Sequence, residues 1–181
     1  HLDNEGKLAL IHNGIIENYV QLRADLEKRG HKFKSETDTE SVVHLLSDAR
    51  KDNNGDLAAA MRQVCKQLKG SFTLLAIHSD NPSHIVGARR NSPLVVGVGE
   101  GENFLASDVA AFIAHTKMAL ELGQDQVVEI TPNSIVVTEL SGQIVKAKEY
   151  EISWDVSAAE RGGFTHFMPV SYTHLTLPTK A

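Results

Sequence analysis

The sequence predicts an α+β fold in which helices cover antiparallel sheet. Segments with helical spacing of apolar residues lie before Gly70, and short strand-like segments separated by turns follow it. Helices followed by a run of consecutive strands favour antiparallel sheet over a repeating βαβ arrangement. The chain has 181 residues, of which 41% are hydrophobic and 23% are charged. These values suit one domain with a sizeable core, with or without a tail.

The first two predicted elements are a strand and a helix. Residues 7–13 are largely apolar and stop at Gly14, which is typical of a strand that ends at a turn. Between residues 17 and 29 the apolar side chains recur among charged ones, and Gly30 follows as a helix stop. The sequence therefore predicts a strand over 7–13 and a helix over 17–29.

Two further helices are predicted before the strands. Thr37 and Glu40 have the T-x-x-E spacing of a capping box, which predicts that a helix begins there. A third helix is predicted after the loop at 52–56. Its apolar face consists of Leu57, Met61, Val64 and Leu68.

The rest of the predicted fold is mainly strand. We predict seven strands, over residues 72–78, 84–88, 94–98, 103–106, 126–130, 134–139 and 144–149. A short helix is predicted over 108–115, and the last three strands are expected to form a meander. The segment 169–181 has no acidic residue, and we expect it to be an unpacked tail.

Composition argues against several classes of function. The net charge of -5 and the absence of a basic cluster argue against nucleic acid as a partner. No apolar run approaches the length that spans a bilayer, so no membrane partner is expected. The nine histidines lack metal-ligand spacing, and we predict neither a metal nor another cofactor. A single cysteine cannot form an internal disulfide, and a reducing cytoplasm is the simplest compartment.

Two short segments are candidates for chemistry, and one residue is rejected. Asn13 and Gly14 could present a side-chain amide and a backbone N–H to a developing oxyanion, although an Asn-Gly turn is the plainer alternative. Asp38, near the start of a predicted helix, could bind an ammonium group or could simply complement the helix dipole. Cys65 lies near the apolar face of the third helix, and we interpret it as a core residue.

Four motifs together indicate a family. The sequences HNGIIENY at 12–19, SETDTE at 35–40, RRNSPLV at 89–95 and GENFLASD at 101–108 closely resemble the glutaminase domain of the glutamine–fructose-6-phosphate aminotransferases, also called glucosamine-6-phosphate synthases. The resemblance extends from about residue 8 to residue 168. Asparagine synthetases and amidophosphoribosyltransferases share the fold, but their matching segments are less similar.

The resemblance implies a fold and a mechanism. The fold is the N-terminal-nucleophile hydrolase type, an αββα sandwich with two antiparallel sheets between helix layers. A cysteine at the mature N-terminus attacks the side-chain amide of L-glutamine, and its own α-amino group acts as the base. The ammonia released is used on fructose 6-phosphate by a separate isomerase domain, giving glucosamine 6-phosphate. The resemblance also implies a homodimeric parent enzyme in the cytoplasm.

The same resemblance assigns roles to three residues of this chain. Asn13 and Gly14 match the oxyanion-hole pair, and Asp38 matches the carboxylate that binds the α-amino group of glutamine. The nucleophilic cysteine of the family and its Arg-Trp-Ala-Thr-His segment have no counterpart, and both should precede His1. We therefore expect a domain that is incomplete at its N-terminus, inactive as a glutaminase and prone to aggregate.

The resemblance also divides the chain. We expect residues 1–155 to be a partial class II glutamine amidotransferase domain and 156–168 to begin the linker to the absent isomerase domain. Residues 169–181 depart from the family and are expected to be foreign. Two alternatives stay open: a non-catalytic module that binds glutamine or a partner, and the glutaminase domain of another amidotransferase.

Overall fold

The computed structural model of the protein describes residues 1–153, and this part of the chain contains three α-helices and nine strands. The helices are α1 (Tyr19–Lys28), α2 (Asp38–Asp52) and α3 (Leu57–Cys65). The strands are β1 (Leu8–Ile16), β2 (Gly70–His78), β3 (Asn81–Arg90), β4 (Val95–Val98), β5 (Asn103–Ala106), β6 (Met118–Glu121), β7 (Gln126–Thr131), β8 (Ser134–Glu139) and β9 (Lys148–Glu151). The predicted linker at 156–168 and the atypical tail at 169–181 lie outside the described residues.

The strands form two antiparallel sheets, which confirms the predicted α+β fold. The first sheet has the order β1-β2-β3-β7-β8, and the second has the order β5-β4-β6-β9. Every pair of neighbouring strands is antiparallel. Hairpin connections bring β2 next to β3 and β7 next to β8. Strands β1 and β2 are also neighbours in the sheet, although all three helices lie between them in the sequence.

The helices cover one face of the first sheet. Helix α2 contacts β1, and α3 contacts β3 and β7. Their apolar faces are buried because the apolar side chains recur at helical spacing. The predicted apolar face of the third helix is confirmed, since its members are fully or almost fully buried: Leu57, Met61, Val64 and Leu68.

A second core fills the space between the sheets. Strand β2 alternates, so that Phe72 and Leu74 join the core under the helices while Leu75 packs against the core of the second sheet. The second core is made by side chains of both sheets: Leu94, Val96, Leu120, Leu122, Val128, Ile130 and Val137. Helices, first sheet and second sheet therefore form successive layers.

The far face of the second sheet is covered by the segment after β5. A 3₁₀ helix at Val109–Ala111 leads into Phe112, which is buried with Ile113 and Ala119. Gly97 allows this close packing, because a Cβ atom there would lie 2.7 Å from the Phe112 ring. The predicted helix over 108–115 is thus present only as one short 3₁₀ turn.

The structure differs from the predicted strands in two places. Strand β6 (Met118–Glu121) was not predicted, yet it lies inside the second sheet between β4 and β9. The predicted strand over 144–149 is instead β9, which begins at Lys148 and pairs with β6. Ile144 forms only an isolated bridge to Thr138, so the expected three-stranded meander is reduced to the β7–β8 hairpin.

Across residues 1–153, no helix is both long enough and apolar enough to cross a membrane.

Candidate functional site

The outer edge of β1 carries backbone groups that point away from the sheet. Leu8 N donates to Asp3 Oδ1 over 3.1 Å, Leu10 N donates to the His1 carbonyl over 2.9 Å, and Ile16 N donates to Asp38 Oδ2 over 2.9 Å. Glu17 N, in contrast, donates toward β2, to the Lys69 carbonyl. Even-numbered residues of β1 therefore direct their backbone groups outward. We call the outward-facing part formed by His12, Gly14 and Ile16 the β1 edge.

The strand continues through Gly14 to Ile16, so the Asn13-Gly14 turn considered as an alternative is not formed. Gly14 is paired with Phe72 of β2, with no break in register along the strand. Because Gly14 is even-numbered in this ladder, its N–H points to the β1 edge. This is the direction that an oxyanion donor requires if a ligand lies along the edge.

Gly14 has a backbone conformation that only glycine adopts easily. Its φ is +133°, and a Cβ atom at this position would lie 2.1 Å from the Ser71 carbonyl oxygen of β2. A side chain would therefore push β1 away from β2 or rotate the peptide. The orientation of the Gly14 N–H thus depends on the absence of a side chain.

Asn13 is exposed and follows the alternation of the strand. The neighbouring odd-numbered residues Ile11 and Ile15 are also exposed, on the face of β1 opposite the helices. Within the described residues, the Asn13 side-chain amide has no hydrogen-bond partner, and it is free to turn toward a ligand. The structure thus places Asn13 directly beside the Gly14 N–H but on the open face of the sheet.

Asp38 is the first residue of α2, and its carboxylate reaches the β1 edge. Its Oδ2 accepts from Ile16 N, and its Oδ1 lies 3.3 Å from the Thr39 hydroxyl. The side chain is 23% exposed, so part of the carboxylate faces solvent. Gly14 and Ile16 are two residues apart on the strand, which places the Gly14 N–H on the order of 7 Å from this carboxylate contact. The structure therefore brings two of the predicted site residues, Gly14 and Asp38, to one edge.

The loop before α2 is held by Glu40, and here the capping-box prediction was wrong. The helix does begin after Thr37, but Thr37 makes no side-chain cap hydrogen bond. The Glu40 carboxylate instead accepts from Lys34 N over 2.7 Å, from Ser35 N over 2.6 Å and from the Ser35 hydroxyl over 2.5 Å. Burial alone would raise the pKa of Glu40, but these hydrogen bonds outweigh it and lower that pKa. The carboxylate is thus kept ionised under the loop that precedes Asp38.

His12 also contacts this group, although no role of its own was predicted for it from the sequence. Its Nδ1 lies 3.0 Å from Thr39 Oγ1 and 3.6 Å from Asp38 Oδ1. Burial lowers the pKa of His12, and the opposing effect of Asp38 is smaller, so the imidazole is neutral at pH 7. The buried positions of Leu8 and Leu10 are a signal that the next even-numbered residue, His12, also faces the helices.

Cys65 has the environment of a core residue rather than of a nucleophile. It ends α3, is buried, and is the chain's only cysteine. Burial raises its pKa to about 12, and nearby Arg90 opposes this only in part. A thiol with that pKa holds almost no thiolate near neutral pH. Among residues 1–153, no group of three or more His, Cys, Asp or Glu side chains could hold a metal ion.

The chain is similar to known proteins of one family. Residues 1–114 match the family model described as a glutamine amidotransferase domain. The glutamine–fructose-6-phosphate aminotransferase (isomerizing) of Streptomyces coelicolor is 60% identical over 168 residues, which are 93% of this chain and 27% of that protein. The corresponding protein of Leifsonia xyli is 52% identical over 168 residues, with the same two coverages. The chain thus spans about a quarter of the length of these relatives.

Solved structures share the fold at lower identity. The glutamine phosphoribosylpyrophosphate amidotransferase of B. subtilis superposes with a TM-score of 0.63 at 23% identity, over 80% of this chain and 31% of that one. An allosteric regulatory enzyme of purine biosynthesis gives a TM-score of 0.62 at 25% identity, over 78% of this chain and 30% of that one. The expected N-terminal-nucleophile type of fold, with antiparallel sheets in adjacent layers, is confirmed.

Proposed function

The chain belongs to the glutamine amidotransferase family, and from this we propose that its β1 edge binds L-glutamine. The proposal assigns the Gly14 N–H and the Asn13 amide to the side-chain carbonyl of the ligand. It assigns the Asp38 carboxylate to the α-ammonium group. Hydrogen-bond donors would then bind the carbonyl oxygen of glutamine, and a negatively charged carboxylate would bind its positively charged ammonium group.

One observation carries this proposal: Asp38 Oδ2 accepts from Ile16 N over 2.9 Å, two residues from Gly14 along the same strand. Ideal strand spacing puts the Gly14 N–H on the order of 7 Å from that contact. The carboxamide oxygen and the ammonium nitrogen of extended glutamine are five bonds apart, which corresponds to about 6 Å. Asp38 keeps acceptor capacity for the ligand, because an ionised carboxylate has about four lone-pair sites. Ile16 N and Thr39 Oγ1 occupy two of them.

Attack on glutamine needs a nucleophile that these residues do not supply. Cys65 is buried and has a pKa of about 12, so it does not act as one. We propose that the 181-residue chain binds glutamine but does not hydrolyse it unaided. Within the proposed active protein, an amino-terminal cysteine of the kind the family resemblance implies would attack the carbonyl held at Asn13 and Gly14.

For the whole protein we propose the reaction named by the relatives. The ammonia taken from glutamine would be transferred to fructose 6-phosphate by an isomerase domain, giving glucosamine 6-phosphate. The support is the 60% identity to a glutamine–fructose-6-phosphate aminotransferase. We further propose a homodimer in the cytoplasm, with neither nucleic acid nor membrane as a partner. Residues 1–155 would be its amidotransferase domain.

The second candidate is a binding module of the same fold that never had a nucleophile. The burial of the only cysteine is what this candidate requires, and it is equally compatible with an enzyme whose nucleophile is not Cys65. The coding sequence upstream of His1 separates the two candidates. An in-frame Met-Cys start would support the enzyme, whereas an authentic start codon immediately before the codon for His1 would support the binding module.

The binding proposal is tested by calorimetric titration of the chain with L-glutamine. We expect Asp38→Asn to weaken binding at least about ten-fold, because an ammonium–carboxylate contact is lost. Asp56→Asn is the matched control, since Asp56 caps α3 through the Ala59 N–H and lies outside the β1 edge. Equal affinities for the original chain and Asp38→Asn would refute the assignment.

A further inference from the structure

The side chain of His12 is buried between β1 and the start of α2. Only 2% of its side chain is exposed, and its ring faces Asp38 and Thr39 rather than solvent. Its Nε2 atom is buried without a hydrogen-bond partner among the described residues. Burying an imidazole with one unpaired nitrogen costs free energy. An apolar side chain at this position would avoid that cost. The presence of a histidine here therefore suggests that the contacts of its other ring nitrogen, Nδ1, have a role.

The chemistry of the neighbours determines which nitrogen carries the proton. A carboxylate accepts hydrogen bonds but cannot donate, and the Thr39 hydroxyl has one hydrogen to give. The Thr39 hydroxyl donates to Asp38 Oδ1 over 3.3 Å. It can then only accept from His12, so we assign the proton to Nδ1, which donates to Thr39 Oγ1 over 3.0 Å. The three groups form a chain of donors that ends on the carboxylate.

We propose that His12 is a positioning residue, which through Thr39 holds the Asp38 carboxylate in the orientation that receives the ligand ammonium. This inference rests on the proposed function of Asp38. Ile16 N fixes Oδ2 over 2.9 Å, and the His12–Thr39 pair fixes Oδ1 from the other side. Without the second restraint the carboxylate can rotate about its χ2 torsion, which is broad for aspartate.

The consequence is a difference between glutamine and a ligand without an ammonium group. A carboxylate that is already held in the binding orientation avoids the free-energy cost of ordering it when the ligand binds. Loss of that orientation therefore weakens the binding only of ligands that contact Asp38. A residue that merely filled the core would affect all ligands equally or affect stability alone. Glutaramate (4-carbamoylbutanoate) has the carboxamide of glutamine but no ammonium, and it is the probe that separates the two roles.

Three variants test the donor chain, and a fourth serves as the control. Asparagine can place a side-chain N–H near the position of Nδ1, so His12→Asn keeps the donor while His12→Leu removes it. Thr39→Val removes the hydroxyl, and valine is close to threonine in shape. This variant keeps the test possible if His12→Leu does not fold. His84→Asn is the matched control, because His84 contacts Glu129 in the first sheet over 3.1 Å.

The experiment is calorimetric titration of the full chain and each variant with L-glutamine and with glutaramate. We expect His12→Leu and Thr39→Val to weaken glutamine binding about three- to ten-fold while glutaramate binding stays unchanged. His12→Asn should restore most of the glutamine affinity, and His84→Asn should match the original chain. Thermal unfolding of each variant confirms that the protein titrated is folded.

The outcomes separate this inference from the proposed function. If Asp38→Asn weakens glutamine binding but neither Thr39→Val nor a folded His12→Leu does, the positioning role is overturned and the binding site stands. If His12→Leu weakens both ligands equally, His12 is a packing residue. If Asp38→Asn has no effect, or the original chain binds no glutamine, the proposed function fails and the role of His12 fails with it.

Discussion

Gly14 cannot be replaced without moving the backbone of β2. Its Cβ would lie 2.1 Å from the Ser71 carbonyl oxygen, and its φ of +133° is unfavourable for any side chain. We expect Gly14→Ala to lower the free energy of unfolding by at least about 2 kcal/mol, measured by chemical denaturation.

Gly6→Ala separates the cost of an unfavourable φ from the cost of the contact with β2. Gly6 has a φ of +69°, but a Cβ there meets nothing within 4 Å. Its substitution should cost only the conformational part, about 1 kcal/mol. Equal losses for the two variants would show that the contact with β2 contributes nothing.

We expect His44 to make the free energy of unfolding depend on pH. Its side chain is almost completely buried, its Nδ1 has no partner among the described residues, and its ring lies 5.0 Å from that of His31. Burial lowers the pKa of His44, and the charge of His31 lowers it further. Near pH 6.5 the unfolded chain therefore binds more protons than the folded one. Stability should be retained above about pH 6.5 and should fall as the pH falls toward the lowered pKa.

The measurement is urea denaturation at pH 7.5 and pH 5.5. We expect the loss of unfolding free energy between pH 7.5 and pH 5.5 to be smaller in His44→Gln than in the original chain. Part of the loss should remain, because burial also lowers the pKa of His12. The exposed His115 supplies the control His115→Gln, which should leave the loss unchanged. A loss of the same size in His44→Gln would contradict this explanation.

At the scale of elements, the loop before α2 depends on one buried carboxylate. Glu40 accepts three hydrogen bonds from Lys34 and Ser35, which join the loop to the first turn of α2 beside Asp38. Glu40→Gln should lower the free energy of unfolding by about 1–3 kcal/mol, because an amide cannot accept all three bonds as well as a carboxylate does. Denaturation with Glu36→Gln as the exposed control tests this. Identical losses would show that the loop does not depend on Glu40.

The helices and strands differ in how well the local sequence predicts them. The helices and most strands could be predicted because their apolar spacing is local. Strand β6 (Met118–Glu121) could not, since Ala119, Leu120 and Glu121 favour helix and the strand exists through its pairing with β4 and β9. The same long-range pairing moved the last strand from 144–149 to β9.

The candidate site was predictable in part for a similar reason. The motifs identified Asn13, Gly14 and Asp38, and the structure brings Gly14 and Asp38 to one edge through the Ile16 contact. Local spacing indicated an Asn-Gly turn as the plainer alternative, but pairing with β2 keeps the chain extended. The role of Glu40 in the loop was also beyond prediction, because the T-x-x-E spacing does not distinguish a Glu40 that caps the helix with Thr37 from one that accepts from Lys34 and Ser35.

At the scale of the whole molecule, the open face of β1 is apolar. Ile11 is 64% exposed and Ile15 is 68% exposed, beside a strand edge with outward backbone groups. Exposed apolar edges of this kind pair with other chains. We predict that the chain self-associates and that the double variant Ile11→Lys/Ile15→Lys increases the monomer fraction in sedimentation velocity.

Val20→Lys is the matched control for this prediction. Val20 is 63% exposed, but it lies on α1 and not at the edge of a sheet. It should leave the association unchanged. A monomer at every concentration tested, or equal effects of the strand and helix variants, would contradict the role of the β1 face.

NMR titration of the nitrogen-15-labelled chain with L-glutamine would show whether glutamine lies along the β1 edge. We expect the largest amide shifts at Gly14 and Ile16, and we expect Asp38→Asn to reduce both at a given glutamine concentration. Glutaramate should shift Gly14 more than Ile16, because it lacks the ammonium that Asp38 would bind. Shifts concentrated elsewhere, or no shift at Gly14 at saturating glutamine, would rule out glutamine binding along the β1 edge.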